Sequence, residues 1–383
     1  MSFAGIKVVD FTTTIAGPHC SRLLADLGAD VIKIEAPDGD MMRSRPPIRE
    51  RSSAMFGQLN VSKRSVVLNL KAPQAIEAAR KLILDADIVI ENYRPGVMKR
   101  LGLDYDSVKQ GNPRLIYCAI SGYGQTGPSA SLAAYAPVVH AASGYDLAHL
   151  SYQPGRTKPD NGGIWIADVL SGTYAFGAIA AALHHREKSG AGQFIDVSML
   201  ESMLSLTLVE MQTAQFDYTP LTRGFAEPHK TRDGYILVAI ASEPTFQAAA
   251  AATGNPGWVT DPRYARYADR RANWHLLMDE LDSWTGSRTT AECLEMFNKH
   301  GVPSAMYRTV AEAMKDPQLA HRQAFFEARD AAGSFNALNP PFHMSAECRR
   351  NTNVAPSLGE HTAEVLKGLG YSDDEISRIS SGS

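Results

Sequence analysis

A single carboxylate, Asp168, stands between the apolar Ile164-Trp165-Ile166 and a run of small and apolar residues from Leu170 to Leu183. The run lacks Pro and predicts a buried helix of about four turns. Asp168 then falls at the helix N-cap or first turn, where unpaired backbone N–H groups and the positive end of the dipole favour an anion. Two roles fit a carboxylate in such a place. One is a helix cap; the other is a nucleophile held in an apolar cleft, short of water and therefore reactive.

Three further clusters carry charge suited to a ligand. They are Gly39-Asp40 with Arg43, Asn60-Val61-Ser62-Lys63-Arg64-Ser65, and Glu91-Asn92-Tyr93-Arg94-Pro95-Gly96. The first and third each hold a guanidinium, the group best matched to phosphate. Surface loops collect charge in any case. Several basic loops on one rim nevertheless suggest a phosphorylated carrier such as coenzyme A.

Other chemistries lack their residues. His184-His185 are adjacent rather than four apart, so their rings point to different helix faces and no metal constellation appears. There is no G-x-S-x-G elbow for a serine hydrolase. His140, in the apolar run APVVHAAS, reads as a satisfied buried imidazole. The 38 basic and 41 acidic residues give a net charge of -3, which offers no footprint for nucleic acid. No apolar run approaches the ~20 residues of a membrane helix. The N-terminal MSFAGIKVVDF reads as a strand rather than a signal peptide. Cys20, Cys118, Cys293 and Cys348 are scattered, without zinc or disulfide spacing, as in a reducing cytoplasm.

The elements that must position these groups follow a β-α-β pattern. Strands are expected at Ile6–Phe11, Ala29–Glu35, Ser65–Leu70, Asp87–Glu91 and Pro113–Ser121, with helices at His19–Leu27 and Ala72–Asp85. The turn after the first strand reads TTTIAGPHC, so the G-x-G-x-x-G of a dinucleotide-binding fold is missing. Beyond Asp168 come a short strand, QFIDVSM, and an apolar helix from Leu200 to Gln215. A linker-like stretch with Pro220 and Gly224 then precedes a strand-like TRDGYILVAIAS. The expected class is α/β. A large domain, 1–224, carries an open parallel Rossmann-like sheet; a smaller α/β domain spans 225–325, and 326–383 returns to the first.

With these residues in place, the chain resembles the family III CoA-transferases of the CaiB/BaiF type, which share their fold with α-methylacyl-CoA racemases. The likeness runs through VVDFTTTIAGP at 8–18, LGADVIKIEAPDGDMMR at 27–43, KRSVVLNLK at 63–71 and DIVIENYRPGVMKRLGLDY at 87–105. It continues in NPRLIYCAISGYGQTGP at 112–128, in 167–202 around Asp168, in TRDGYILVAIAS at 231–242 and in PSLGEHTAEVL at 356–366. The resemblance implies that Asp168 is the catalytic nucleophile, forming an acyl mixed anhydride and then an aspartyl-CoA thioester. It implies CoA contacts at Ala16, Arg43, Asn69, Lys71, Asn92 and Arg94, and acyl-pocket positions at Ile15 and Tyr135. The implied substrates are an acyl-CoA and a carboxylic acid acceptor, with no tightly bound cofactor. The implied assembly is a homodimer of interlocked chains.

Two departures narrow this expectation. Formyl-CoA transferases have glutamine and histidine where this chain has Ile15 and Thr13, and a glycine-rich flap where it has RGFAEPHKTRDG. Racemases have a G-H-D histidine where this chain reads Ala134-Tyr135-Ala136, so the second acid/base of a proton exchange is missing. CoA transfer is therefore the leading reading. Racemisation of 2-methylacyl-CoA and non-catalytic CoA-ester binding are the alternatives.

Overall fold

The computed structural model describes residues 2–153, 155–160, 162–216, 226–346 and 350–381. The chain divides into two units, Met1–Asp217 with His321–Ser383, and Tyr218–Ala320. In the larger unit, β1 (Lys7–Asp10) leads through α1 (Ala16–Asp26) to β2 (Asp30–Glu35). Then come β3 (Lys63–Val67), α2 (Pro73–Leu84), β4 (Ile88–Glu91), β5 (Ile116–Ser121), α3 (Ala136–Ala142), α4 (Ile166–Ser189) and β6 (Gln193–Ser198).

The six strands form one sheet in the order β3-β2-β1-β4-β5-β6, and every pairing is parallel. Val- and Ile-rich strands suit this arrangement because both faces are covered. Ile88, Ile90, Cys118 and Ile120 pack with Leu24 of α1 and Ala175 and Ile179 of α4. Val66, Val89 and Tyr117 pack on the other face with Ala75, Ala79 and Ile83 of α2. Strand order reverses between β1 and β4, which opens the crevice where ligands bind in such sheets.

After β6 the chain forms α5 (Met199–Leu204) and α6 (Leu208–Thr213). The smaller unit contains β7 (Ala226–Lys230), β8 (Tyr235–Ala239), α7 (Glu243–Ala252), α8 (Trp274–Gly286), α9 (Thr290–Lys299) and β9 (Ser304–Met306). Its strands are antiparallel in the order β9-β8-β7, over a core of its own that includes Ile236, Phe246, Leu281 and Phe297. The returning segment adds the hairpin β10 (Phe325–Asp330) and β11 (Gly333–Leu338), then α10 (Thr362–Gly368). It covers the outer strand of the main sheet: Val67 donates its N–H to Thr362 Oγ1 at 3.0 Å and His361 donates its N–H to the Ser65 carbonyl at 2.9 Å. An edge strand is thereby shielded from pairing with another chain.

Several expectations need correction. The third strand runs over 63–67 rather than 65–70, because Lys63 is buried through an ion pair that hides its strand character from hydropathy. The helix expected over 200–215 is two helices. The Ser205 and Thr207 hydroxyls between them donate to the carbonyls of Ser202 and Leu204, competing with the backbone ladder. The strand-like 231–242 is instead the second half of a hairpin that turns at Thr231–Gly234. The view that no apolar run reaches membrane-helix length also fails. The 24-residue α4 is long and apolar enough by length and composition, although much of it is buried against α1 and the sheet. Pro220, Gly224 and Cys348 lie outside the described residues.

Candidate active site

Asp168 is the third residue of α4, in its first turn, after Trp165 at the N-cap. It is 9% exposed. Burial pushes its carboxyl up to about 6, and a backbone hydrogen bond from Ala16 favours the ionised form without offsetting that burial. Among the described residues no cation pairs with it. The result is a carboxylate stripped of most of its water and steadied by backbone dipoles.

The approach of Ala16 depends on Gly172, one turn beyond Asp168. A Cβ at Gly172 would stand 2.4 Å from the Ala16 carbonyl oxygen, so only glycine lets α4 lie this close to the start of α1. His19 Nε2 and Thr173 Oγ1, 3.3 Å apart, add a polar tie between the same helices.

The turn that presents Ala16 is held from three sides. Asn92, just beyond β4, accepts the Thr13 N–H at 2.9 Å and donates to the Thr13 carbonyl at 2.8 Å, bridging the crevice between β1 and β4. Lys33, buried in β2, donates to the Thr12 carbonyl at 2.7 Å and pairs with Asp40 at 3.0 Å. Lys63, buried in β3, donates to the Pro18 carbonyl, Ser21 Oγ and Asn60 Oδ1 and pairs with Asp10 at 3.1 Å. Burial alone would raise Asp10, but Lys63 and Lys33 together hold it down at about 2.

The remaining expected site residues fall into distinct environments. Asn69 and Lys71 line a cleft of about 550 Å³ beyond the ends of β2, β3 and β4, with Ala36, Tyr93, Val97 and Leu101; Asp168 is not among its lining residues. Arg94 sits on the loop between Tyr93 and Val97, exposed and with no side-chain ion pair or hydrogen bond among the described residues. Lys71 is likewise exposed.

Arg43 is not a free guanidinium. It grips Glu35 through Nε and Nη2, both at 2.7 Å, donates to the Pro356 carbonyl at 3.2 Å and stacks 3.7 Å from the centre of the Phe56 ring. Its phosphate-binding fork is committed within the fold. Asn92 has its side-chain amide engaged by Thr13, and Ala16, 2% exposed, can present only its backbone. Ile15 is 4% exposed and packs with Met42, Phe56 and Leu59. Tyr135 is exposed at the N-cap of α3.

Sequence reasoning missed Lys33 and Gly172, and it took Lys63 for part of a ligand-binding cluster although its ammonium is spent inside the fold. A lysine within the apolar VIKIE was the one legible sign, since a charge at the centre of a buried parallel strand must be paired. Glu91, read from sequence as one of a charged loop cluster, is buried instead, and burial raises it to about 8 despite an accepted N–H from Tyr93. Among the described residues no group of three His, Cys, Asp or Glu side chains is placed to hold a metal ion.

A doubly wound sheet with a desolvated carboxylate at a helix start, next to its switch-point turn, defines an α/β enzyme. Residues 3–362 match the model of CoA-transferase family III. The chain is 33% identical to a succinate–glutarate CoA-transferase of Agrobacterium fabrum, across 96% of this chain and 95% of that protein. It is 32% identical to the beta subunit of a succinyl-CoA–L-malate CoA-transferase of Chloroflexus aurantiacus, across 100% and 97%. It is also 32% identical to a formyl-CoA:oxalate CoA-transferase of Escherichia coli, across 98% and 97%. A CaiB/BaiF family crystal structure from Brucella suis superposes with a TM-score of 0.83 at 31% identity, covering 96% of this chain and 98% of that one. The protein Rv3272 of Mycobacterium tuberculosis, in an orthorhombic form, superposes with a TM-score of 0.85 at 30% identity, covering 95% and 99%. The chain belongs to CoA-transferase family III, and the protein is a CoA-transferase.

Proposed function

We propose that the protein moves CoA from an acyl-CoA to a carboxylic acid through covalent intermediates on Asp168. The observation that carries this reading is the Asp168 carboxyl itself: 9% exposed, without a cation, beside the Ala16 amide. A carboxylate held by a cation would be a poor nucleophile, and a fully hydrated one would be shielded by its water.

In the first step a carboxylate oxygen of Asp168 attacks the thioester carbonyl. The C–S bond breaks, CoA leaves as thiolate and an acyl-aspartyl anhydride remains. The thiolate then attacks the aspartyl carbonyl, which releases the acyl group as its carboxylate and leaves an aspartyl-CoA thioester. The acceptor carboxylate attacks that thioester and frees the thiolate, which takes the acceptor's acyl carbon and regenerates Asp168. Charge is conserved at every step and no proton transfer is required.

Asn69 and Lys71, with the unpaired Arg94, support a CoA-binding role for the cleft and its rim. Ala16 would contribute through its backbone and Tyr135 through its exposed ring. The named relatives act on succinyl, glutaryl, malyl and formyl or oxalyl groups, so succinyl-CoA is the first donor to offer. The family resemblance further supports a homodimer, and the buried free Cys20, Cys118 and Cys293 suit a cytoplasmic setting.

The test is to incubate the protein with succinyl-CoA and a panel of mono- and dicarboxylic acids, trap with hydroxylamine or borohydride, and map the peptides. Modification at Asp168 is expected; turnover with Asp168 unmodified would sink the mechanism. In the same assay Arg94→Ala is expected to raise KM for the acyl-CoA severalfold with kcat little changed. An unaltered KM would remove Arg94 from the CoA site.

A further inference from the structure

The start of α4 has no side chain of its own to cap it, because Trp165 occupies the N-cap. The orphan N–H groups of such a helix end need acceptors. One is supplied from another helix: His140 of α3 accepts the N–H of Ala167 on Nε2 at 3.1 Å. Ala167 immediately precedes Asp168. An acceptor nitrogen carries no proton, so this imidazole is neutral with its hydrogen on Nδ1. His140 is 6% exposed, and burial holds its basicity below that of an ordinary histidine, against the opposing pull of Asp146. The Tyr145 ring lies 6.0 Å away and is itself stacked on His149. Buried tightly beside it, Ala136, Val139 and Ala167 belong to one core cluster, so the imidazole is held in place rather than hanging in solvent.

We propose that His140 is a positioning residue, whose imidazole pins the first turn of α4 and thereby aims the Asp168 carboxylate at its reaction partner. The proposal rests on Asp168 being the nucleophile. It also gives the neutral imidazole a task other than proton exchange, since Nε2 is occupied by a backbone amide. Protonation would turn the acceptor into a donor facing another donor, and the first turn of α4 would lose its tether. Misplacement of a nucleophile by about 1 Å is enough to cost roughly a hundredfold in rate while leaving a remote CoA cleft intact.

The test compares His140→Ala with His140→Gln, whose Oε1 can accept from Ala167 near the place of the imidazole Nε2. For each we would measure kcat, KM for succinyl-CoA, thermal midpoint and the rate of Asp168 adduct formation. The expected result is a kcat of His140→Ala reduced roughly tenfold to a hundredfold with KM within about twofold, and most of the loss recovered in His140→Gln. A purely structural role would instead lower the midpoint without separating kcat from KM. Nitrogen-15 spectra of the wild type at neutral pH give a readout that does not require a variant to fold. An unprotonated Nε2 and a protonated Nδ1 at His140 support the proposal, and a protonated Nε2 overturns it. So does a His140→Ala enzyme with kcat within about twofold of wild type, or a His140→Gln enzyme as slow as His140→Ala. Failure of the nucleophile reading looks different: the wild type then turns over without an adduct on Asp168, whatever the variants do.

Discussion

At the scale of the residue, the proposed mechanism has Asp168 trade stability for reactivity. An unfolded Asp ionises near 3.8 and the folded one near 6, so the folded state binds a proton between those values. Stability from this group is fully present below about 4 and is lost as pH rises through about 6. Above that, the ionised carboxylate costs the fold up to about 3 kcal/mol. Asp168→Asn is therefore expected to raise the thermal midpoint at pH 7.5 while abolishing CoA transfer, and to leave the midpoint at pH 4 nearly unchanged. A midpoint that falls at pH 7.5 would show that the charge is stabilised rather than strained. On the proposed mechanism the ionised form attacks, so kcat/KM should rise with pH through about 6 and then level. The bare identity of Asp168 was legible from its apolar flanks; its proton affinity was not, since that depends on Ala16 and on how completely α1 covers it.

At the scale of the element, the candidate site is a contact between the first turns of α4 and α1. Gly172 sets how near they come. Gly172→Ala inserts a methyl group 2.4 Å from the Ala16 carbonyl, where backbone has to give way. We expect a loss of about 1–3 kcal/mol of stability, read as a lower denaturant midpoint, as for other overpacked sites. The larger effect should be a fall in kcat that exceeds any change in KM for acyl-CoA, as Asp168 moves off its amide partner. Equal activity in the variant would show that the helices are not held at this spacing. The β-α-β elements were readable from alternating apolar runs and Gly-Pro turns. The contact between α1 and α4 was not, because roughly 150 residues separate the partners and nothing local in either encodes the other.

At the scale of the whole molecule, buried charge organises the larger unit. Lys33 on β2 holds the Thr12 carbonyl of the turn after β1 and Lys63 on β3 holds the Pro18 carbonyl in the first turn of α1, with Asp40 and Asp10 as their counter-ions. Removing one partner strands another in the core. Lys63→Met should cost about 3–5 kcal/mol of stability, read as a lower urea midpoint, and a second change, Asp10→Leu, should recover part of it. If Lys63→Met were as stable as the wild type, these lysines would be incidental to the fold. Two units with separate cores, the larger closed by its own returning C-terminal segment, leave the candidate site and its buried clamps within one unit.

The chain's own order of residues determined the α/β class, the strand and helix sequence, the family and the singular standing of Asp168. These depend on local periodicity and on motifs that recur along the chain. Only the tertiary structure decided which charged residues are free. Arg43 and Lys63 read from sequence as cations for a ligand, yet both are satisfied within the fold, whereas Arg94 and Lys71 are exposed and have no side-chain ion pair among the described residues. Ile15 packs into a small core with Met42, Phe56 and Leu59, and His140 accepts the Ala167 N–H at the start of α4. The physical reason is common to them: a side chain's role is set by what buries and pairs it, and those partners come from distant parts of the chain.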